Sequence, residues 1–292
     1  MQSPTRVRSV ARKLLGPWAM RYVRQCLGKT VPELGLYRSL LAGKHGLEIG
    51  GPSWMLGDDG PLPIYRVIGS LDNCQYSVRA VTGPAQERSK FGYHPLKRPG
   101  YQIVCEGSDL APIEDAAYEC VLASHCLEHM ANPLRALGEW RRVLKEDGVL
   151  LVILPHKDGT FDWRRPITTI AHLIKDYETG VGENDLTHLP EILALSDFER
   201  EKSFDGSKEQ LQQVWQENYS NRCMHHHVFD TATALTMVDH AAFQVIRVAN
   251  LGPFHIVILA RRCQGVPDNA RFLGPKAEYR RRSPFPSDRS AG

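Results

Sequence analysis

The chain has no CxxC pair, no run of about eighteen apolar residues and no G-x-G-x-x-G, and each absence excludes a class of protein. Its seven cysteines (Cys26, Cys74, Cys105, Cys120, Cys126, Cys223 and Cys263) are odd in number and scattered. Neither a disulfide framework nor a cysteine zinc cluster follows from such spacing, and the expected setting is reducing and cytoplasmic. Without a long apolar run the chain is not expected to span a membrane, and its start lacks the unbroken apolar stretch of a signal peptide. The missing glycine pattern speaks against a dinucleotide enzyme, because GGPSWM leaves no close approach for a pyrophosphate. Acidic residues are missing from residues 1–30, which carry seven Arg or Lys, while the body of the chain is net acidic. No basic face or nucleic-acid motif accompanies that body, so no nucleic-acid partner is expected. The segment RVRSVARKLLGPWAMRYVRQCLG reads as a basic extension, 1–40, able to make weak peripheral contact with an anionic membrane surface.

What is present fits one sizeable domain. The chain has 292 residues and 42% hydrophobic content, enough for a core that needs no covalent staple. Short apolar runs alternate with amphipathic stretches, the pattern of a parallel sheet covered by helices. Strands are expected at 46–49, 64–71, 101–105, 119–124 and 149–154. Before the last of these, Asn132 caps a helix, Pro133 suits its first turn, Leu134, Leu137, Trp140, Val143 and Leu144 share a face, and Gly148 follows its end. Asp230 caps a second helix running to about Ala242. FQVIRVANL and HIVILARR then form a hairpin about Gly252-Pro253. The expected architecture is α/β, a doubly wound, mostly parallel seven-stranded sheet with an antiparallel last strand. The domain runs over 41–263, a polar insertion at about 157–227, far longer than an ordinary connection, reads as a lid or acceptor region, and the basic tail 264–292 reads as disordered.

Chemistry concentrates at the ends of the strands. GLEIGGPSW ends a strand on Glu48 and then turns sharply through Gly50 and Gly51, letting a ligand approach the main chain. Asp72, placed at the end of the next strand, is positioned to accept hydrogen bonds from ribose hydroxyls. After the third strand, Asp109 offers a carboxylate to an adenine amino group and Leu110 an apolar side chain to its face. Together these point to an adenosine-containing ligand. Past the fifth strand, His156 is the candidate general base, with Asp158 or Asp162 in support. His129, in the LEHM turn, is the next candidate, with a hydrogen-bonding role at a helix start as its alternative. The insertion adds His172, Asp176, Glu183, Asp185, His188 and His225–His227, which suit a polar, hydroxyl-rich acceptor. Consecutive histidines in an extended segment point to opposite sides and cannot all face one ion, so no metal is expected.

From about Gly46 to Arg262 the chain resembles the class I S-adenosylmethionine-dependent methyltransferases, in particular the type 11-like group. The resemblance is carried by SDLAPIEDAAYECVLASHCLEHMANPLRALGEWRRVLKEDGVLLVILP, Ser108 to Pro155. It implies S-adenosylmethionine as cofactor, with Glu48, Gly50 and Gly51 in the cofactor loop, Asp72 at the ribose, Asp109 and Leu110 at the adenine, and Ser124 and His125 on the rim by the methionine part. The loop departs from the family: Gly50 and Gly51 are adjacent, and Pro52 stands where another glycine is common. The expected function is methyl transfer to a small polar molecule or glycoconjugate, on oxygen or nitrogen. The alternative is a noncatalytic binding or scaffolding protein that keeps the fold.

Overall fold

A computed structural model describes residues 29–77, 89–201, 204 and 206–290. The basic segment on which the expected membrane contact rests lies outside these residues. Residues 34–41, assigned to the same extension, form helix α1 (Leu34–Leu41), with Tyr37 and Leu41 fully buried. The folded unit therefore begins before residue 41. Among the described residues no helix is long and apolar enough to cross a membrane.

The centre is an eight-stranded sheet in the order β3-β4-β2-β1-β5-β6-β8-β7. Its strands are β1 (His45–Ile49), β2 (Ser70–Gln75), β3 (Lys90–Phe91), β4 (Gly100–Val104), β5 (Tyr118–Ser124), β6 (Leu144–Pro155), β7 (Phe243–Leu251) and β8 (His255–Arg262). β4, β2, β1, β5 and β6 are parallel, and β8 inserts antiparallel between β6 and β7. The seven-stranded expectation holds, with a two-residue antiparallel β3 added at the edge beside β4. The near-continuous apolar runs follow from burial on both faces. On β6, Val149, Leu151 and Ile153 join the core that holds Tyr37 and Leu41, whereas Leu150, Val152 and Leu154 join the core on the other face.

That second core is covered by α2 (Pro133–Val143) and, after the insertion, α7 (Thr231–His240). Asn132 caps α2 by accepting from Arg135 N–H, and Leu134, Leu137, Trp140 and Val143 are buried as the spacing predicts. The helix ends at Val143, and Leu144 already belongs to β6. Asp230 caps α7 by accepting from Thr233 N–H.

Two expectations fail. Residues 64–69 form a turn and irregular chain and β2 starts only at Ser70, because Ile64, Tyr65 and Ile68 are buried at helical rather than alternating spacing. The tail is folded: it forms α8 (Ala270–Leu273), α9 (Glu278–Arg282) and α10 (Pro286–Ser290). Tyr279, Phe285 and Asp288 are buried there. Its basic composition concealed two aromatic anchors and a buried acid.

The insertion contains α3 (Ile170–Thr179), α4 (Leu189–Leu195), α5 (Lys208–Gln216) and α6 (Asn218–Asn221). It has a small core of its own, Phe161, Ile192, Leu211, Trp215 and Met224. Beside it the fully buried Arg165 is fixed by Asp162 at 2.9 Å, Glu191 at 2.8 Å and the carbonyls of His225 and His226.

Candidate functional site

The chain runs outward from β1 to β2 and β4, then returns to place β5 on the other side of β1. At such a reversal the loops after neighbouring strands diverge and leave a crevice at the carboxyl edge. A cleft open to solvent lies there. Four strand ends contribute to its lining: Ile49 and Gly50 after β1, Gln75 and Tyr76 after β2, Glu106 and Gly107 after β4, and Cys126, His129 and Met130 after β5. Glu183 and Arg222 from the insertion close the wall.

The glycine turn is built around Glu48. Its carboxyl group is fully buried and accepts from Tyr65 Oη at 2.7 and 2.8 Å and from Ser53 N–H at 3.0 Å. Burial pushes its pKa up to about 7, against the lowering effect of Tyr65 and Ser53. Gly50 has φ 75°, in the region that favours glycine. A Cβ on Gly51 would lie 2.4 Å from Glu48 Oε2, so the carboxyl group leaves room there only for glycine. Asn73 and Gln75 hold the loop from β2: Gly51 N–H donates to Asn73 Oδ1 at 2.9 Å, and the Gly51 carbonyl accepts from Gln75 Nε2 at 3.0 Å. Gly50 thus faces the cleft, while Glu48 and Gly51 support it.

Three expected placements are corrected. Asp72 is inside β2, not at its end, and pairs with Leu47 in mid-strand. Its oxygens accept from Tyr101 N–H at 2.8 Å and Tyr118 Oη at 3.0 Å, and lie 3.3 Å from His45 Nε2. These partners sit at the beginnings of β4, β5 and β1, so Asp72 belongs to the amino edge, away from the cleft. Asp109 is exposed and paired with Arg135 at 2.9 Å, and Leu110 is a core residue; neither lines the cleft, which Glu106 and Gly107 reach instead. His156 is fully buried, stacked on Phe285 with ring centres 4.0 Å apart and 3.2 Å from Asp288 Oδ1. The folded tail seals it from any acceptor.

Ser124 and His125 do stand at the end of β5. Ser124 Oγ lies 2.9 Å from Ser53 Oγ, tying β5 to the glycine turn. His125 has φ 51° and contacts His255 Nδ1 at 2.9 Å. His129 lines the cleft in the turn Leu127–His129. Burial, reinforced by His225, pushes its pKa down to about 4 although Glu128 opposes this, so the ring is neutral near pH 7. Its Nδ1 lies 3.2 Å from the Met224 carbonyl, which can only accept. Nδ1 therefore carries the proton and Nε2 the lone pair, 3.9 Å from Glu128 Oε1. Glu128 is 1% exposed; against the effect of burial, a hydrogen bond from His125 holds its carboxyl group below the usual range. Asp162 does not face the cleft: it pairs with Arg165 and lies 2.6 Å from His225 Nδ1. Its link to the cleft runs through His225, whose ring centre is 4.6 Å from that of His129.

Sequence reasoning missed Gln75, Glu106, Glu128 and Arg222, whereas Glu183, one of the polar residues expected in the insertion, does line the cleft. Gln75 and Glu106 are legible once the strands end correctly, and Glu128 stands in the quoted LEHM. Arg222 carried no signal. It has φ 54°, reaches Glu106 at 2.5 Å and lies over the rings of Tyr76 and Tyr219. Two sets of side chains bring metal-ligating atoms within 4.8 Å of one another: Glu128, His129 and His225, and His172, Asp176, His188 and His227.

Residues 68–152 match a family model described as a methyltransferase domain. An uncharacterised protein of Methanocaldococcus jannaschii is 31% identical over 106 residues, 32% of this chain and 44% of that protein. An uncharacterised 37.1 kDa protein in transposon TN4556 of Streptomyces fradiae is 31% identical over 125 residues, 41% of this chain and 33% of that protein. The chain thus spans less than half the length of these relatives. A crystal structure of a SAM-dependent methyltransferase from Aquifex aeolicus covers 89% of this chain and 99% of its own, with 14% identity and a TM-score of 0.44.

Proposed function

We propose that this chain carries a class I methyltransferase domain, binds S-adenosylmethionine in the cleft and transfers the methyl group to oxygen or nitrogen of a small polar molecule or glycoconjugate. The observation that carries the proposal is the convergence of four strand ends on one crevice where the strand order reverses. Gly50 takes the main-chain approach, Gln75 and Tyr76 the ribose, and Glu106 with Gly107 and Met130 the adenine. The methionine part then points toward Cys126 and His129. When bound, the cofactor supplies an electrophilic methyl group on a sulfonium.

The residues around it position the acceptor and handle its proton. Methyl transfer is an in-line displacement, so holding the acceptor about 3 Å from the methyl carbon does much of the work. His129 replaces His156 as the base, because it lines the cleft and its ring is neutral near pH 7. On taking a proton it becomes an imidazolium beside the Glu128 carboxylate, which stabilises that charge at the moment it forms. Glu183 and Arg222, 3.8 Å apart, make this wall of the cleft charged, which supports a polar acceptor.

Calorimetric titration with S-adenosylmethionine and S-adenosylhomocysteine tests the proposal. Binding that weakens about tenfold or more in Glu106→Gln and is unchanged in Asp72→Asn supports it. No binding of either compound overturns it. Binding without methylation of any acceptor in a metabolite and glycan mixture favours the noncatalytic alternative.

A further inference from the structure

The insertion gathers four ligand-type side chains that the cleft does not use. His172 and Asp176 stand one turn apart on α3. His188 directly precedes α4. His227 lies in the extended segment that leads into α7. One ligand atom from each is within 4.8 Å of all the others. His172 Nε2 is 3.2 Å from His188 Nε2 and 3.2 Å from Asp176 Oδ2, and His227 Nε2 is 3.8 Å from that same oxygen. A tetrahedral ion with bonds of about 2.0–2.1 Å separates its ligand atoms by roughly 3.3–3.4 Å, so the cluster has the dimensions of one coordination shell.

The protein alone does not satisfy these atoms. Asp176 is 8% exposed, and its Oδ2, aimed into the cluster, has no hydrogen-bond partner; Nδ1 of the buried His227 has none either. His172 Nε2 carries at most one proton, yet faces both a second imidazole nitrogen and a carboxylate oxygen. A cation at the centre meets His172 Nε2, His188 Nε2, His227 Nε2 and Asp176 Oδ2 at once and removes the cost of a buried, unpartnered carboxylate oxygen.

We infer that His172, Asp176, His188 and His227 form a zinc-binding site. Three imidazoles and one carboxylate suit zinc, and four protein ligands fill a tetrahedron without an open position, so the ion is structural. His227 Nε2 also lies 3.2 Å from the Ala131 carbonyl, a contact that coordination through this nitrogen replaces. The neighbouring histidines face elsewhere, His225 to Asp162 and His226 to Asn218. One of the three consecutive histidines therefore suffices, which removes the objection that all three cannot face one ion.

The placement gives the ion a purpose. Asp176 and His188 bracket residues 177–187, the end of α3 and the loop after it, and that loop carries Glu183, which approaches Ala131 N–H at 3.3 Å and Ser108 Oγ at 3.4 Å and lines the cleft. Asn132, the cap of α2, donates to the Asp176 carbonyl at 3.0 Å. Zinc thus fixes the base of one cleft wall. The site itself does not depend on the methyl-transfer reading.

The test uses the full chain without a histidine tag, stripped with a chelator and titrated with Zn²⁺ and with Co²⁺. One zinc per chain is expected, with the intense visible absorption of tetrahedral Co²⁺ and slower hydrogen exchange in 177–187 when zinc is present. Asp176→Asn, which preserves shape, should weaken zinc by at least about tenfold. His226→Ala and His129→Gln should still bind one equivalent. Absence of stoichiometric zinc in the wild-type chain overturns the inference. So does undiminished binding by a folded His172→Ala/His188→Ala double variant, or loss on His129→Gln, which would move the ion to the cleft cluster.

Discussion

Glu48 is a buried acid whose neutral form the fold prefers, and that preference has a sign. Its folded pKa is about 7, above the ordinary value near 4.5 that applies when the chain is unfolded. The stability this group contributes is therefore complete below pH 4.5 and lost as pH rises through about 7, on the order of 3 kcal/mol in all. Glu48→Gln keeps a carbonyl acceptor for Tyr65 and removes the titration. The gap in melting temperature between wild type and variant should move in the variant's favour from pH 5 to pH 8, as measured by scanning calorimetry. A gap that does not change with pH overturns the assignment. His129 makes a different prediction, because its neutral ring already stands at the cleft. His129→Gln should lower methyl transfer by about 10² to 10⁴ while S-adenosylmethionine affinity changes little. A rate that is unaffected means that positioning alone drives the reaction.

The tail helices act on the sheet through a few buried groups. Asp288 Oδ2 accepts from Thr231 Oγ1 at 2.7 Å, Asn250 Nδ2 at 2.6 Å and Ser283 Oγ at 2.5 Å. Phe285 covers His156. Ending the chain at Gly265 uncovers His156, Thr231 and Asn250 and removes Tyr279 and Phe285 from the core. Deleting one buried aromatic side chain costs about 3 to 5 kcal/mol, so a truncated chain should melt well below the full one or fail to fold. Phe285→Ala, a milder change, should lower stability by the same 3 to 5 kcal/mol in urea titration. A truncated chain of unchanged stability means that the tail is a passive appendage. Both experiments also separate His156 from catalysis, since its loss should act on folding and not on the pH dependence of turnover.

The molecule joins a standard sheet to an insertion that behaves as a fixed layer. Its own apolar core and the buried Arg165 network argue against a loose lid that orders only around an acceptor. Hydrogen exchange of the ligand-free chain should therefore show α3 and α5 protected far beyond exposed loops, with cofactor adding protection mainly at Gly50, Gln75, Glu106 and Arg222. Rapid exchange throughout 170–216 overturns this view. The alternation of apolar runs, the Asn132 and Asp230 caps and the Gly252-Pro253 hairpin were readable in the chain because local periodicity and capping chemistry encode them. The same holds for the glycine turn and the LEHM segment, whose residue types carry their chemistry wherever they fold. Strand ends were not readable to the residue: buried Ile64, Tyr65 and Ile68 resemble a strand in composition, and that error moved the expected ribose contact to Asp72. Which edge of the sheet an acid reaches depends on register with its neighbours, and Leu47 opposite Asp72 is a fact of pairing between distant segments. His156 lost its role to a partner more than a hundred residues away, and His172, Asp176, His188 and His227 converge from three separate segments. Burial and convergence are set by packing among remote parts of the chain, and no local window contains them.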